Sequence, residues 1–395
     1  MDKAIVIGCG VAGWAILRSL AGVPRIHRIA LSASSAEMAW ASRYAHERWL
    51  CPHPQEREAE FVRFLQAQGR AWEGALLIPA GDFMAASLSR HHEELSKMYR
   101  VAMGPWEVVR RLFFKDELAL LAQQAEVPMP RSVRIRAGEM TFPKDVAGLQ
   151  YPVWIKPVAS AQFVRQFGVK GYQARDRAEL EFHLTRLRSA GQPLLIQEVI
   201  PGEDHLLELV SFYIGRDGRV WATSARRKVR QHPPSFGVMR VGYSVDQLSE
   251  AEALSWRLLR QAGGYQGLVS FEFKRDPRDA KLKLIEANVR MARSGMLATA
   301  SGVNFPQLMY ADLVCGMLPS AVRSKPGVWW IELIPDLYYT FLHPEGRRYT
   351  WAQKLQPYRA PAKVFGDFDL RDFRPFVRQW MRALPWRWKH GGLIV

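Results

Sequence analysis

The sequence predicts an α/β protein in which an N-terminal doubly wound domain is followed by a two-lobed α+β domain. Three observations support this prediction. An apolar strand, Lys3–Ile7, runs into a glycine-rich loop and a helix, as at the start of a doubly wound unit. The stretch Gly267–Asn288 contains two short strands with acidic side chains among apolar ones. The length of 395 residues is enough for two or three packed units.

The composition is ordinary for a globular protein except in its charge. Apolar residues make up 48% of the chain and charged residues 24%. The 55 Lys and Arg against 38 Asp and Glu give a net charge of +17. This excess favours anionic partners such as nucleotides, acidic substrates, nucleic acid or an anionic membrane surface, and it does not choose among them.

The cysteines and the hydropathy favour the cytoplasm. Cys9, Cys51 and Cys315 are odd in number and lack metal-ligand spacing, which favours a reducing compartment over a disulfide framework. No run approaches the ~18 apolar residues of a membrane span. The stretch Ala4–Leu20 resembles a signal-peptide core, but a strand, loop and helix account better for its three glycines. We therefore expect a cytoplasmic protein.

A glycine-rich loop, Gly8–Gly13, has the pattern G-x-G-x-x-G and opens a helix that extends through Leu20. Its N–H groups suit an anion. A dinucleotide fingerprint also needs an acid after the second strand, where Ser32–Ser34 stand instead. An NAD(P)-dependent oxidoreductase that uses this loop is an alternative, although it leaves the second half of the chain unexplained. Gly81–Asp82 ends the strand Ala75–Pro79, where doubly wound folds place ligands.

The middle of the chain carries two lysines in informative places. Pro105–Glu126 is predicted to be a helical pair, with Lys115 opening its second helix. Lys156 ends the apolar strand of Tyr151–Pro157, and the alternative to a functional role there is a lysine that extends to solvent. The strand Leu194–Ile200 then runs into a Pro-Gly turn followed by acids.

A basic hairpin follows. His205–Tyr213 and Val220–Lys228 are predicted to pair around a turn that contains Asp217 and Gly218. The second strand continues into the run Arg226–Arg230, and Arg240 lies beyond a flexible Pro-Pro segment. Arg226, Lys228 and Arg240 are candidates to bind a carboxylate or a phosphate, and the alternative for the basic run is a solvated hairpin edge.

The strand pair of Gly267–Asn288 predicts a cation site. Glu286 and Asn288 are two apart, so their side chains point to one face, and the paired strand can present Glu272 to that same face. Two carboxylates and an amide oxygen suit Mg²⁺ bound to phosphate groups. The alternative, a solvated sheet face, is disfavoured because the acids are embedded among apolar residues.

The C-terminal residues from Pro326 are rich in Trp, Tyr, Pro and Arg. Helical spacing places one apolar and one basic set on different faces, so the helix could lie on an anionic membrane surface. The alternative is a helix packed on the domain with its arginines in solvent. The apolar set is Phe373, Phe376, Val377, Trp380, Met381 and Leu384, and the basic set is Arg374, Arg378 and Arg382.

The order of these features resembles the ATP-grasp superfamily, most closely its carboxylate–amine ligase-like members of the D-aspartate ligase and carbamoyl-phosphate-synthase types. The motifs YPVWIKP, IQEVIPGED and FEFK…LIEANVR carry the resemblance, which covers roughly residues 1–320. It implies a Rossmann-like pre-ATP-grasp domain over 1–110, an ATP-grasp N-lobe over 111–190, a C-lobe with the metal site over 191–325, and an aromatic, basic extension over 326–395.

The resemblance also implies roles for individual residues. Lysines would contact the ATP phosphates, a hinge segment would read the adenine, and an acid would hydrogen-bond the ribose. A hard-oxygen set would bind Mg²⁺, or Mn²⁺ in its place, and cations would act on the transferred phosphoryl group and the substrate carboxylate. The nucleotide set is Lys115, Lys156, Gln197, Glu198, Val199, Ile200 and Asp204; the metal set is Glu272, Glu286 and Asn288; the catalytic cations are Arg290, Lys228 and Arg226.

The activity implied is an ADP-forming ligase that activates a carboxylate as an acyl phosphate for attack by an amine. Its partners would be small-molecule acids and amines with no nucleic acid, and a homodimer is common among such proteins. A nucleotide-binding scaffold without catalysis is a third possibility. The loop after Lys156, with Ser160 and Arg165, contains fewer glycines than the family pattern, and Val289 replaces its usual proline.

Overall fold

The computed structural model describes residues 1–137, 146, 148–157, 163, 166, 167, 169, 171–187, 191, 193–234, 237–317 and 320–381. Over these residues the chain forms a parallel sheet of five strands, an antiparallel sheet of four, and a mixed sheet of eight. This arrangement confirms the predicted α/β class, with a doubly wound N-terminal part and a two-lobed remainder.

The N-terminal sheet is parallel and has helices packed against it. Its strand order is β3-β2-β1-β4-β5. β1 is an apolar strand whose last four residues are buried, as expected for a central parallel strand. The strands are β1 (Asp2–Ile7), β2 (Ile26–Ser32), β3 (Glu47–Leu50), β4 (Leu76–Pro79) and β5 (Arg100–Val101), and the helices are α1 (Val11–Ala21), α2 (Glu58–Gln68), α3 (Asp82–Arg90) and α4 (His92–Leu95).

A helical pair connects this domain to the four-stranded sheet. The pair was predicted from the sequence and comprises α5 (Trp106–Phe113) and α6 (Lys115–Gln124). The sheet has the order β6-β9-β7-β8, and an amphipathic helix, α7 (Arg177–Leu187), follows β8. Its strands are β6 (Ser132–Ile135), β7 (Val153–Pro157), β8 (Tyr172–Ala174) and β9 (Leu194–Glu198).

The largest sheet has the order β14-β13-β10-β11-β12-β16-β17, and β15 pairs with β11. It shares apolar clusters with the N-terminal domain, so the two pack as one core. Its strands are β10 (Leu207–Ile214), β11 (Val220–His232), β12 (Val238–Val245), β13 (Gly267–Arg275), β14 (Leu282–Asn288), β15 (Val322–Arg323), β16 (Trp329–Ile331) and β17 (Lys363–Phe365); its helices are α8 (Ser249–Ala262), α9 (Gly295–Ala300), α10 (Phe305–Leu313), α11 (Leu333–Leu337) and α12 (Trp351–Arg359).

The residues from Pro326 onward add two strands to this large sheet. β16 pairs with β12, and β17 pairs with β16. The predicted domain boundaries at 110, 190 and 325 remain a proposal.

The chain then returns to the N-terminal domain through a buried carboxylate, Asp372. This carboxylate accepts hydrogen bonds from the Trp14 indole N–H at 3.0 Å, the Ser42 hydroxyl and the Arg43 backbone N–H at 3.0 Å.

The predicted C-terminal helix is described over residues 374–381, so Arg382 and Leu384 lie outside the described residues. Some side chains of its apolar set are packed against the protein and others are exposed. Phe376 packs against Phe368, with ring centroids 5.0 Å apart, whereas Phe373, Val377 and Met381 are exposed. No helix in the described part of the chain is both long and apolar enough to cross a bilayer.

Glycines of the Gly8–Gly13 loop allow β1 and α1 to pack closely against each other. Gly8 has φ of +100°, a conformation that favours glycine. A Cβ on Gly13 would lie 1.9 Å from the Gly8 carbonyl oxygen, because α1 starts directly against β1.

We expect Gly13→Ala to destabilise the protein by about 3 kcal/mol or more, because the added methyl group overlaps backbone that cannot move aside. Chemical denaturation measures the change. Gly22→Ala, at the other end of α1, is the matched control, since φ is −82° there and a Cβ meets nothing within 4 Å. Equal effects of the two substitutions would contradict this packing role.

Candidate functional site

The two glutamates of the predicted metal set face each other across neighbouring strands. Glu272 on β13 is paired directly with Glu286 on β14, next to a bulge, and Asn288 is paired with Ser270. The Asn288 side-chain amide donates to Glu286 Oε1 at 2.9 Å. All three predicted ligands therefore lie together on one face, as the two-residue spacing in LIEAN implied.

Cations from the basic hairpin approach the same carboxylates. Lys228 Nζ lies 2.5 Å from Glu272 Oε1, and both side chains are largely buried. Leu209 on β10 is paired with both Arg226 and Glu272, so these two side chains share a sheet face. Burial lowers the pKa of Arg226 to about 10, and the Glu272 charge opposes that shift.

The acid pair has the electrostatics of a cation site. Burial raises the pKa of Glu272; Lys228 opposes the rise, and the like charge of Glu286 adds to it. A divalent cation would relieve that repulsion. The described residues contain no group of three or more His, Cys, Asp and Glu placed to hold a metal. The donor set fits Mg²⁺ best, since Mg²⁺ uses one or two carboxylates and takes its other ligands from phosphates and water.

Two lysines lie near Glu286 of this acid pair, Lys115 at the start of α6 and Lys156 on β7. Burial lowers the pKa of Lys156, the Lys115 charge adds to this shift and the Glu286 charge opposes it. The resulting pKa is about 7. Lys156 Nζ also donates to Gln197 Oε1 at 2.6 Å. Lys115 keeps access to solvent, yet partial loss of hydration lowers its pKa, against the charges of Glu286 and Asp82. Two partly dehydrated ammonium groups beside one carboxylate are suited to a polyanionic ligand.

Arg290 lies two residues beyond Asn288 but has a partner that the sequence did not predict. Its Nε and Nη2 donate to the two carboxylate oxygens of Asp82 at 2.8 and 3.1 Å. Asp82 begins α3 in the N-terminal domain, at the ligand end of that sheet. The pair therefore connects the N-terminal domain to the acid pair, and Arg290 would have to leave Asp82 to contact a phosphate.

The predicted adenine hinge begins within β9, at Gln197 and Glu198, and continues to Ile200. Gln197 and Glu198 are buried, and Glu198 Oε1 accepts from the Gln150 backbone N–H. The Glu198 and Val199 backbone N–H groups donate to the carbonyls of Arg131 and Pro152. A purine edge would therefore be recognised by other backbone groups of the segment that ends at Ile200.

Asp204, predicted to bind a ribose, is buried and already has protein partners. Its Oδ1 accepts from Gln231 Nε2 at 2.7 Å. Its Oδ2 accepts from the Gln231 backbone N–H and lies 3.3 Å from Arg348 Nη2. A ribose would have to share this carboxylate with Gln231.

The chain was compared with known proteins. No family model matches it. A D-aspartate ligase of Enterococcus faecium (strain Aus0004) is 25% identical over 246 residues, which are 60% of this chain and 58% of that protein. The match thus spans somewhat more than half of that relative's length.

Solved structures match over most of the chain. An L-amino acid ligase from Bacillus licheniformis has a TM-score of 0.59 at 17% identity, covering 79% of this chain and 74% of its own. An N5-carboxyaminoimidazole synthetase from Staphylococcus aureus complexed with ADP has a TM-score of 0.63 at 13% identity, covering 88% and 86%. The chain has the ATP-grasp fold. The resemblance predicted from the sequence is confirmed, and at these identities the solved structures establish the fold alone.

Sequence reasoning missed one lysine near this acid pair. Lys274 is buried, and its Nζ donates to the carbonyls of Ile200 and Gly202, each at 2.9 Å. It thereby fixes the turn that ends the hinge, close to Glu272. A signal was present, because Lys274 follows Glu272 by two residues in a strand and so was expected on its face.

The Gly8–Gly13 loop already binds a carboxylate of the protein itself, that of Glu37. The Cys9 backbone N–H donates to Glu37 Oε2 at 2.5 Å, and the Ser32 hydroxyl donates to the same oxygen at 2.6 Å. A cofactor phosphate at this N–H would meet the Glu37 carboxylate. This contact disfavours the NAD(P)-dependent alternative.

The predicted residues thus form one cluster with outlying members. Glu272, Glu286, Asn288, Lys228 and Arg226 share a sheet face, and Lys115 and Lys156 approach it. Asp204 lies near Lys274, and Arg290 is paired with Asp82. Ser160 and Arg165, in the loop after Lys156, lie outside the described residues.

The depressed pKa of Lys156 predicts a pH-dependent stability. The folded protein releases this proton near pH 7, whereas the unfolded chain keeps it to about 10.5. The cost of burying the charge is therefore complete below pH 7 and is relieved as the pH rises through this window. We expect Lys156→Met to raise the unfolding free energy by about 2–4 kcal/mol at pH 6, with a gain that shrinks toward pH 10.

Urea denaturation across pH 6–10 measures this gain. Lys97→Met, at an exposed lysine, is the control. A gain independent of pH, or equal in the two variants, would contradict burial as the cause.

Proposed function

We propose that this protein is a Mg²⁺-dependent ligase that uses ATP to activate a carboxylate for attack by an amine. The observation that carries the proposal is the convergence of Glu272 and Glu286 with Lys115, Lys156 and Lys228 around one sheet face. The paired glutamates suit a metal on phosphate groups, and the lysines suit the phosphates themselves. ADP in the Staphylococcus aureus neighbour supports a nucleotide in this fold.

The chemistry needs positioning and charge neutralisation more than a side-chain nucleophile. A substrate carboxylate oxygen attacks the γ-phosphorus, the bond to the β,γ-bridging oxygen breaks, and acyl phosphate and ADP result. An amine then attacks the acyl carbon, loses a proton and displaces inorganic phosphate. Each step transfers a group between oxygen or nitrogen atoms, without oxidation or reduction.

Each charged group has a definite task in that reaction. Lys115 and Lys156 bind the phosphate chain, and Glu272, Glu286 and Asn288 would hold Mg²⁺, or Mn²⁺ in its place. Bound there, the metal neutralises charge on the transferred phosphoryl group. Burial and the charge of Lys115 leave Lys156 partly unprotonated near pH 7. An incoming phosphate chain would raise the pKa of Lys156, so that the side chain becomes fully protonated.

The hairpin cations would hold the acid. Arg226 is buried beside Glu272, and Lys228 contacts Glu272 directly, so a carboxylate between them lies next to the phosphoryl group. Arg290 would assist once it exchanges Asp82 for the phosphoryl oxygens. D-aspartate, which the name of the Enterococcus faecium relative specifies, is a first acid to test.

We expect Glu286→Gln to reduce Mg²⁺- and acid-dependent ADP release by about a hundredfold, because a metal ligand and its charge are lost. A coupled assay of ADP release, with a panel of acids and amines, measures this effect. Glu250→Gln, at an exposed glutamate on α8, is the control and should keep full activity. Unchanged Mg·ATP affinity and turnover in Glu286→Gln would overturn the metal assignment.

The same assay separates the alternatives. A scaffold without catalysis would bind Mg·ATP and release no ADP with any acid and amine. An oxidoreductase would bind NADPH in preference to ATP, against the Glu37 contact described above.

We further propose that the C-terminal helix touches an anionic membrane surface. Phe373, Val377 and Met381 are exposed along it, and Arg374 is exposed beside them. Vesicles rich in phosphatidylglycerol should float the protein at low salt and release it at high salt. Phe373→Ser with Val377→Ser should weaken flotation, whereas Leu120→Ser, at an exposed leucine elsewhere, should not. Absence of flotation at low salt would rule out the contact.

Two further parts of the proposal rest on the resemblance and the composition. We propose a homodimer, which light scattering on the purified protein measures. We also propose a cytoplasmic location, which fractionation of the source cells tests.

A further inference from the structure

Two buried arginines lie on neighbouring strands of the site sheet. Arg226 on β11 is 3% exposed, and Arg240 on β12 is 2% exposed. An arginine so deeply buried needs partners for its charge and for its five N–H groups, since both are costly to remove from water.

Each of these arginines uses one end of its guanidinium group. Arg226 Nη1 donates to the Ser211 hydroxyl at 2.8 Å. Arg240 Nη1 donates to Glu332 Oε2, and Arg293 occupies the other oxygen of Glu332. In both arginines Nε and Nη2 have no hydrogen-bond partner among the described residues.

Nε and Nη2 form the edge of a guanidinium group that binds a carboxylate through two parallel hydrogen bonds. The same edge does so elsewhere in this protein, and three examples have N–O distances of 2.7–3.1 Å. These pairs are Arg90 with Glu58, Arg230 with Asp336, and Arg290 with Asp82.

Buried polar atoms without a partner are concentrated around these two arginines. Nine such side-chain atoms occur in the described part of the chain, and six of them lie on the adjacent strands β11, β12 and β16. Besides the four arginine nitrogens they are Ser224 Oγ and Trp330 Nε1. All six can donate a hydrogen bond, so this part of the sheet has buried donors that lack acceptors.

We propose that the acid activated by this enzyme carries two anionic groups, one bound by the Nε–Nη2 edge of Arg226 and the other by that of Arg240. The inference rests on the proposed ligase function and adds its substrate class, a dicarboxylic acid. Arg226 takes the reacting carboxylate because Glu272 and Lys228 lie beside it. Arg240, which contacts Glu332 from the neighbouring strand β12, takes the second carboxylate and fixes the orientation.

Matched pairs of acids test this substrate class. Each diacid is compared with its monoamide, which keeps the shape and loses one charge: aspartate with asparagine, glutamate with glutamine, and succinate with succinamate. Both enantiomers of the amino acids are included, along with unsubstituted diacids from malonate to adipate. Calorimetric binding in the presence of a non-hydrolysable ATP analogue and Mg²⁺, and acid-dependent ADP release, are the two readouts.

We expect one diacid to exceed its monoamide by at least about thirtyfold in affinity and in kcat/KM, as for a buried charge pair. Arg240→Lys keeps the positive charge but loses the edge that forms bidentate hydrogen bonds, and Arg240→Gln loses both the charge and this edge. Each should raise KM for the diacid more than it lowers kcat and should leave the monoamide unaffected. Arg227→Gln, on the same strand but paired with Glu208, is the control and should preserve the preference.

The outcomes distinguish failure of the diacid inference from failure of the proposed ligase function. ADP release stimulated equally by a diacid and its monoamide, or by monoacids alone, overturns the diacid inference and leaves the ligase standing. Failure of every diacid to bind also overturns the inference. Failure to bind Mg·ATP at all overturns the ligase itself. Thermal denaturation and Mg·ATP affinity show whether each Arg240 variant is folded, and Arg240→Lys decides if Arg240→Gln is not.

Discussion

The pairing of Glu272 with Glu286 is the constraint on which the rest of the site depends. Strand register places the two carboxylates opposite each other, and the charge of Glu286 adds to the cost of burying Glu272. The surrounding cations are then required for stability as well as for chemistry, since Lys228 already contacts one of the acids. The proposed polyphosphate and its metal would bring both negative and positive charge to this site.

Much of this arrangement could be predicted from the sequence, because it depends on local periodicity. Two-residue spacing put Glu286 and Asn288 on one face, and the apolar strand before Lys156 placed a lysine at a sheet end. The order of motifs along the chain supplied the fold, because ATP-grasp elements follow one another in a recognisable sequence. The strands of the extension from Pro326 were not predicted, since Trp329–Ile331 and Lys363–Phe365 are short and belong to a sheet whose other strands lie far away in the chain.

The partners of individual cations could not be predicted for a related reason. Asp82 is 208 residues from Arg290, and Glu332 is 92 residues from Arg240. Spacing along a strand says which way a side chain points, but it does not say which distant loop arrives to meet it. The unpaired edges of Arg226 and Arg240 could not be predicted either. A run of basic residues has the same sequence pattern whether its side chains are solvated or buried.

The Asp372 carboxylate has a consequence for how the molecule holds together. It is bonded to Trp14, Ser42 and Arg43, so the segment around Asp372 rests on the first forty or so residues. β16 and β17 meanwhile extend the sheet that carries the acid pair. Residues 326–381 therefore contact the N-terminal domain and extend the sheet that carries the acid pair, in addition to the apolar core that the two parts share. A relative without these residues would keep the shared apolar core but would lose the polar contacts of Asp372 between the two parts.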